Sequence, residues 1–161
     1  MRFLVVSVLL LAAVPAAAVE PMIGAELGWS RISIGGENFN PLTARARLAL
    51  GLNPDWEIGV VAGGGIRDDE AVNVTVAIDT QQAAYLRYSA SLDDNARLVL
   101  TLGYGETTLD VQTVFPGFPG SETYSGLVYG LSLQERLSRW PNWIGSLDLE
   151  RWYDKDGLGI S

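Results

Sequence analysis

The chain is 161 residues long, enough for one domain, and carries a formal charge of −8. That acidity argues against nucleic acid or an anionic lipid surface as a partner. The absence of cysteine excludes a disulfide framework, and the absence of histidine removes the commonest general base and metal ligand.

Residues 1–18, MRFLVVSVLLLAAVPAAA, read as a secretory signal peptide. Arg2 supplies a positive start, Phe3 to Val14 is apolar except for Ser7, and Ala16 and Ala18 set small side chains before a cleavage point at Val19. The run falls short of the about 20 residues a membrane helix needs. A buried N-terminal helix is the competing reading. The expected organisation is a leader over 1–18 and a single exported domain over 19–161.

From there the sequence alternates with period two. In MIGAELGWS, Ile23, Ala25, Leu27 and Trp29 share a face opposite Gly24, Glu26, Gly28 and Ser30. LTARARLALGL sets Ala44, Ala46, Leu48 and Leu50 against Arg45, Arg47, Ala49 and Gly51. WEIGVVAGGGIR sets Trp56, Ile58 and Val60 against Glu57 and Gly59, and AYLRYSAS sets Leu86 and Tyr88 against Tyr85, Arg87 and Ser89. Further segments follow around Leu98–Tyr104, Leu127–Leu133 and Leu147–Leu149, the last opposite Asp148 and Glu150. Each is close to the 9–11 or so residues of a tilted membrane-crossing strand. Asn53-Pro54-Asp55, Asp93-Asp94-Asn95 and Ser138 to Asn142 predict short turns; Gly35 to Pro41, Asp68 to Gln81 and Glu106 to Thr123 predict long loops. AVNVTVAI is expected to extend the third and fourth strands beyond the membrane rather than to cross it.

The polar face is mostly glycine and serine with a few charges, and the apolar face is almost free of charge. Glycine is a poor solvent-facing strand residue but leaves room inside a narrow barrel. Trp29, Trp56, Tyr104, Trp143 and Tyr153 fall near segment ends, where interface aromatics sit. These features predict an all-β, eight-stranded, up-and-down antiparallel transmembrane β-barrel. A soluble sandwich or lipocalin-like barrel is the alternative. Seven crossings are counted, so the final strand is expected to be truncated, with GLGIS its beginning.

The leader, MIGAELGWS, YLRYSASL, LVLTLGYGET and YSGLVYGLSLQERL resemble the outer-membrane protein β-barrel family, over most of Pro21 to Tyr153. That family includes opacity-like and porin-family small barrels and is similar in architecture to the transmembrane domain of outer membrane protein A. The resemblance implies the outer membrane of a Gram-negative bacterium, with lipid and the assembly machinery as partners. It also implies a last strand ending in an aromatic residue, where this sequence has Ser161.

The inward face is expected to carry Glu26, Arg45, Arg47, Glu57, Arg87, Arg97, Asp148 and Glu150 as ion pairs filling the lumen. A narrow small-solute channel gated by such pairs is the alternative. Without histidine the usual hydrolase chemistry has no base, so no enzyme activity, cofactor or metal is expected; an Asp148–Glu150 acid–base pair is the weaker reading. Asp68-Asp69-Glu70 lacks the spacing of a calcium loop. In VFPGFPG, Phe115 and Phe118 are candidates for contact with a host or other cell surface. The predicted role is structural or surface-interacting, with an adhesin-like binder as the alternative.

Overall fold

The computed structural model describes residues 20–160 apart from 35, 36, 72, 114–119, 141, 156 and 157. The expected leader over 1–18 and the loop aromatics Phe115 and Phe118 lie outside the described residues. The strands are β1 (Glu20–Trp29), β2 (Ile32–Ile34), β3 (Glu37–Phe39), β4 (Leu42–Gly51), β5 (Trp56–Arg67), β6 (Asp69–Ala71), β7 (Val74–Ser91), β8 (Ala96–Thr113), β9 (Ser121–Arg136), β10 (Ile144–Arg151), β11 (Tyr153–Lys155) and β12 (Leu158–Ile160). The long strands form one curled antiparallel sheet in the order β1-β4-β5-β7-β8-β9-β10, with β6 paired to β7. A small sheet, β11-β12-β2-β3, ties the continuations of β10 and β1 together at one end. There β12, which falls within GLGIS, pairs antiparallel with both β11 and β2. The fold is thus all-β and up-and-down.

Alternation decides what each strand shows. Ile23 faces Leu48 across the β1–β4 ladder, and Leu100 faces Leu131 across β8–β9. These side chains stand outward and exposed, as do Leu27, Leu102, Leu127 and Leu147. The other parity points inward, where Arg47, Arg87, Thr101, Tyr85, Val99 and Ser132 are buried. A wall with its largest apolar side chains on the outside far exceeds the few hundred Å² of apolar patch that water-facing surfaces tolerate. It matches a hydrocarbon surround.

Two short turns close by side-chain chemistry. Asn53 Oδ1 accepts from the backbone N–H of Asp55 (3.0 Å) and Trp56 (3.0 Å), and Asp93 Oδ1 accepts from Asn95 and Ala96 (2.7 Å each). Such Asx turns hold the chain reversal without a longer loop. The third short connection carries backbone bonds from Trp143 N to Trp140 O (2.8 Å) and Leu137 N to Trp143 O (3.1 Å).

At the opposite end the structure corrects several expectations. The long loops are largely strand: Glu37–Phe39, Val74–Gln81 and Glu106–Thr113 all lie in ladders. The AVNVTVAI segment does extend the third and fourth strands: Ala71 ends β6, which continues β5, and Val74–Ile78 open β7, which pairs there with β6 on one side and with the upper part of β8 on the other. A register shift between Ile78 and Thr80 reverses the inward parity of β7. Below it Gln81, Ala83, Tyr85 and Arg87 are buried; above it Val76 and Ile78 are. β8 runs on to Thr113, past the length of one crossing, so the exposed Tyr104 lies within the strand, about one crossing's length from Ala96. The interior is also not polar throughout. Ile32, Phe39, Val76, Ile78, Leu109 and Trp152 belong to one buried apolar cluster toward the long-hairpin end.

Candidate functional site: the interior ion network

Three arginines and four carboxylates meet inside the curled sheet. Arg45 and Arg47 stand on β4, two residues apart and so on the same face. Arg45 Nη2 lies 2.9 Å from Glu26 Oε2 on β1 and 3.1 Å from Glu150 Oε2 on β10. Arg47 pairs with Glu26 and reaches Glu150 Oε1 at 3.4 Å. Arg87 on β7 contacts Asp148 Oδ1 at 3.1 Å, Glu150 Oε1 at 3.5 Å and Glu57 Oε1 at 3.6 Å. It also donates from Nε to Thr101 Oγ1 at 2.9 Å. Asp148 accepts a further bond from Ser146 Oγ (2.7 Å), and Glu150 from Trp152 Nε1 (3.2 Å). Every side chain in these ion pairs is at most 14% exposed.

Space for these long side chains comes from their neighbours in register. Gly59, Tyr85 and Gly103 are directly opposite one another on β5, β7 and β8. A Cβ at Gly59 would strike the Tyr85 hydroxyl, and one at Gly103 would come within 3.0 Å of Tyr85 Cβ. The phenol ring therefore lies over glycine on either side, an aromatic covering bare backbone. Above that ring sit two guanidinium carbons, Arg47 at 4.9 Å and Arg87 at 5.3 Å from its centroid. Gly130 does the same for Glu150, whose Cγ would lie 2.9 Å from a Cβ placed there. Arg45 is stacked over Trp152 at 5.1 Å.

The structure thus brings Glu26, Arg45, Arg47, Glu57, Arg87, Asp148 and Glu150 into one network. Arg97 is elsewhere: it is near the short-turn end, donating to Pro54 O at 3.4 Å. Tyr85 and Trp152 were not singled out from the sequence. The available signal for Tyr85 was an aromatic on a face otherwise made of glycine, serine and charge. Of the aromatics expected at the membrane boundaries, Trp29, Trp56 and Trp143 are exposed, and Trp56 packs against Tyr88 with centroids 5.0 Å apart. The side chain of Tyr153 lies outside the described residues. Asp148 and Glu150 are each engaged by Arg87, as members of the interior ion network. Among the described residues no group of three or more acidic side chains is disposed to hold a metal ion.

No protein-family model matches the chain, and no curated protein matches it. Solved structures do. Ail, the attachment invasion locus protein of Yersinia pestis, is 20% identical, with a TM-score of 0.60 over 89% of this chain and 93% of Ail. This chain has an Ail-like fold. A second structure, Ail in complex with the heparin analogue sucrose octasulfate, gives 21% identity and a TM-score of 0.59 over the same shares. At this identity the Ail-like fold is what the likeness establishes.

Proposed function

We infer that the chain is a non-catalytic outer-membrane barrel whose long hairpins meet a surface outside the cell. The observation that carries this reading is the division of the wall. Apolar side chains face outward along its lower part, while arginine–carboxylate pairs occupy the inside. An interior filled in this way offers support rather than passage, so presentation of the hairpins is the work left for the scaffold.

The Ail structure with sucrose octasulfate gives surface attachment a precedent in this fold. Charge argues that the partner differs. The long-hairpin end carries Asp69, Glu70, Asp79, Glu106, Asp110 and Glu122, and the chain as a whole is at −8. A sulfated polyanion is repelled by such a field, and a neutral or basic surface is not. The test compares cells displaying the intact chain with cells lacking residues 113–121. Intact cells are expected to bind a defined host-cell surface, and the deletion to lose that binding. The purified protein should pass through immobilised heparin at physiological salt. Equal binding by both cell types ends the surface-contact reading; firm retention on heparin overturns the charge argument.

A further inference from the structure

Where the strands leave the apolar band, the wall is interrupted along one line. β1 stops at Trp29 and the chain resumes as β2 at Ile32; β3 stops at Phe39 and β4 begins at Leu42. Pro41 has no N–H to give a ladder, and a backbone bond from Ser30 N to Pro41 O (3.0 Å) spans the break. The β4–β5 ladder shifts register between Leu42 and Thr43, and β5 ends at Arg67, opposite Leu42. Beyond it, the β5–β7 ladder ends with Gly63 opposite Gln81, and pairing to β7 resumes only with Asp69 opposite Val76. Residues 64–68 thus have no ladder partner on β7, whose bulge at Asp79 falls in that interval. Trp29, Leu42 and Arg67 are in register, so the breaks on β1, β4, β5 and β7 adjoin one another.

β8 and β9 pass the same level unbroken. Their ladder runs from Ala96 opposite Glu135 to Asp110 opposite Ser121 with no shift of register. They stand four places round the sheet from β1 and β4, on its far side. Each body on either side of the line is packed. Above it, Ile32, Phe39, Val76, Ile78 and Leu109 join β2, β3, β7 and β8 in one buried apolar cluster. Below it, the ion network ties β1, β4, β5 and β7. Hinges in proteins have this form: a few residues at the ends of elements, set between two packed bodies.

We propose that the upper section leans as one body on a joint at this line, with the β8–β9 hairpin as its spine. A rotation of about 15° moves the interrupted side, about 15 Å from the spine, by roughly 4 Å. The hairpin tips then turn to meet a surface that is not parallel to the bilayer, while the barrel stays upright. This use of the joint rests on the surface-contact reading; the joint itself does not.

The chain has no cysteine, so introduced cysteines carry spin labels at known places. Distances are measured by pulsed dipolar spectroscopy on the full chain in detergent micelles, with every label at an exposed position. Asp55→Cys with Ser138→Cys lies within the lower body, and Glu37→Cys with Gln112→Cys within the upper one. Asp55→Cys with Glu70→Cys spans the joint on the interrupted side, and Asp94→Cys with Gln112→Cys spans it along the spine. The two pairs within one body and the spine pair should give narrow distance distributions. The pair at positions 55 and 70 should be broader by roughly 4 Å. Equal widths for the two spanning pairs overturn the joint. A broad distribution between positions 37 and 112 overturns the proposal as well, because the upper section then does not move as one body. Loss of surface binding in the cell test leaves these widths unchanged, so the two readings fail separately.

Discussion

Arg47 shows how much of this fold rests on single side chains. Its guanidinium pairs with Glu26 and Glu150, lies over Tyr85, and is buried. Removing one member of a buried ion pair leaves the other desolvated without compensation, at a cost of about 3–5 kcal/mol. Arg47→Ala is therefore expected to unfold at a clearly lower temperature. Single-channel recordings should show negligible conductance before and after, since Arg45 and Arg87 still span the interior. Large, stable currents from the unaltered protein would favour the channel reading instead. At the same scale, Asp93 carries a pH dependence. Backbone N–H groups of Asn95 and Ala96 hold its carboxyl below the ordinary 3.8. A depressed carboxylate stabilises the folded chain fully above its ordinary value and loses that contribution as pH falls through the folded value. The advantage of the unaltered chain over Asp93→Ala in thermal melts should thus be present at neutral pH and fade below about pH 3.8.

Between residues and the whole stand the strands and their registers. The bulge near Asp79 is the element with the largest leverage. It lets one strand bury Tyr85 and Arg87 below and Val76 and Ile78 above. Asp79 is the extra residue of the bulge, so deleting it leaves Val74, Val76 and Ile78 inward in unbroken alternation with Gln81 and Tyr85. The upper part of β7 should then resist protease as it does in the unaltered chain; rapid cleavage above Thr80 would show that the bulge itself is required. This element also marks the limit of what the sequence discloses. Alternation over Ile23–Trp29, Leu98–Tyr104 and Leu127–Leu133 reveals the crossing strands and the faces of Glu26, Arg45 and Arg87, because a period of two maps directly onto inside and outside. It says nothing about a one-residue insertion whose effect appears only when Ile78 meets Leu109 across the ladder. It is equally silent on the strands at Glu37–Phe39 and Glu106–Thr113, where acidic and polar composition reads as loop and tertiary pairing prevails. Among the charges, Arg97 shares the inward parity of the network but lies too near the turns to join it, a matter of height along the wall that parity does not encode.

For the molecule as a whole, the outward band governs behaviour. Exposed Leu27, Leu48, Leu102, Leu127 and Leu149 encircle the sheet, and each large apolar side chain left in water forgoes about 1.5–3 kcal/mol of burial. Cells producing the chain should carry it in the outer-membrane fraction, and it should migrate differently on gels run with and without heating. Recovery from the soluble periplasm would reject the membrane reading.

The length of the tallest strands has a physical consequence of its own. β7 and β8 each run for 18 residues, where a crossing uses about 9–11. The surplus, at about 3.3 Å per residue and a tilt near 40°, lifts the hairpin tips roughly 15–20 Å clear of the hydrocarbon. Phe39, Val76 and Leu109 pack together inside that upper section, which makes it a stiff mast rather than a tether. Whatever touches the tips is held at a fixed stand-off from the lipid, so contact at the summit and contact with the bilayer are separate events for any visiting molecule.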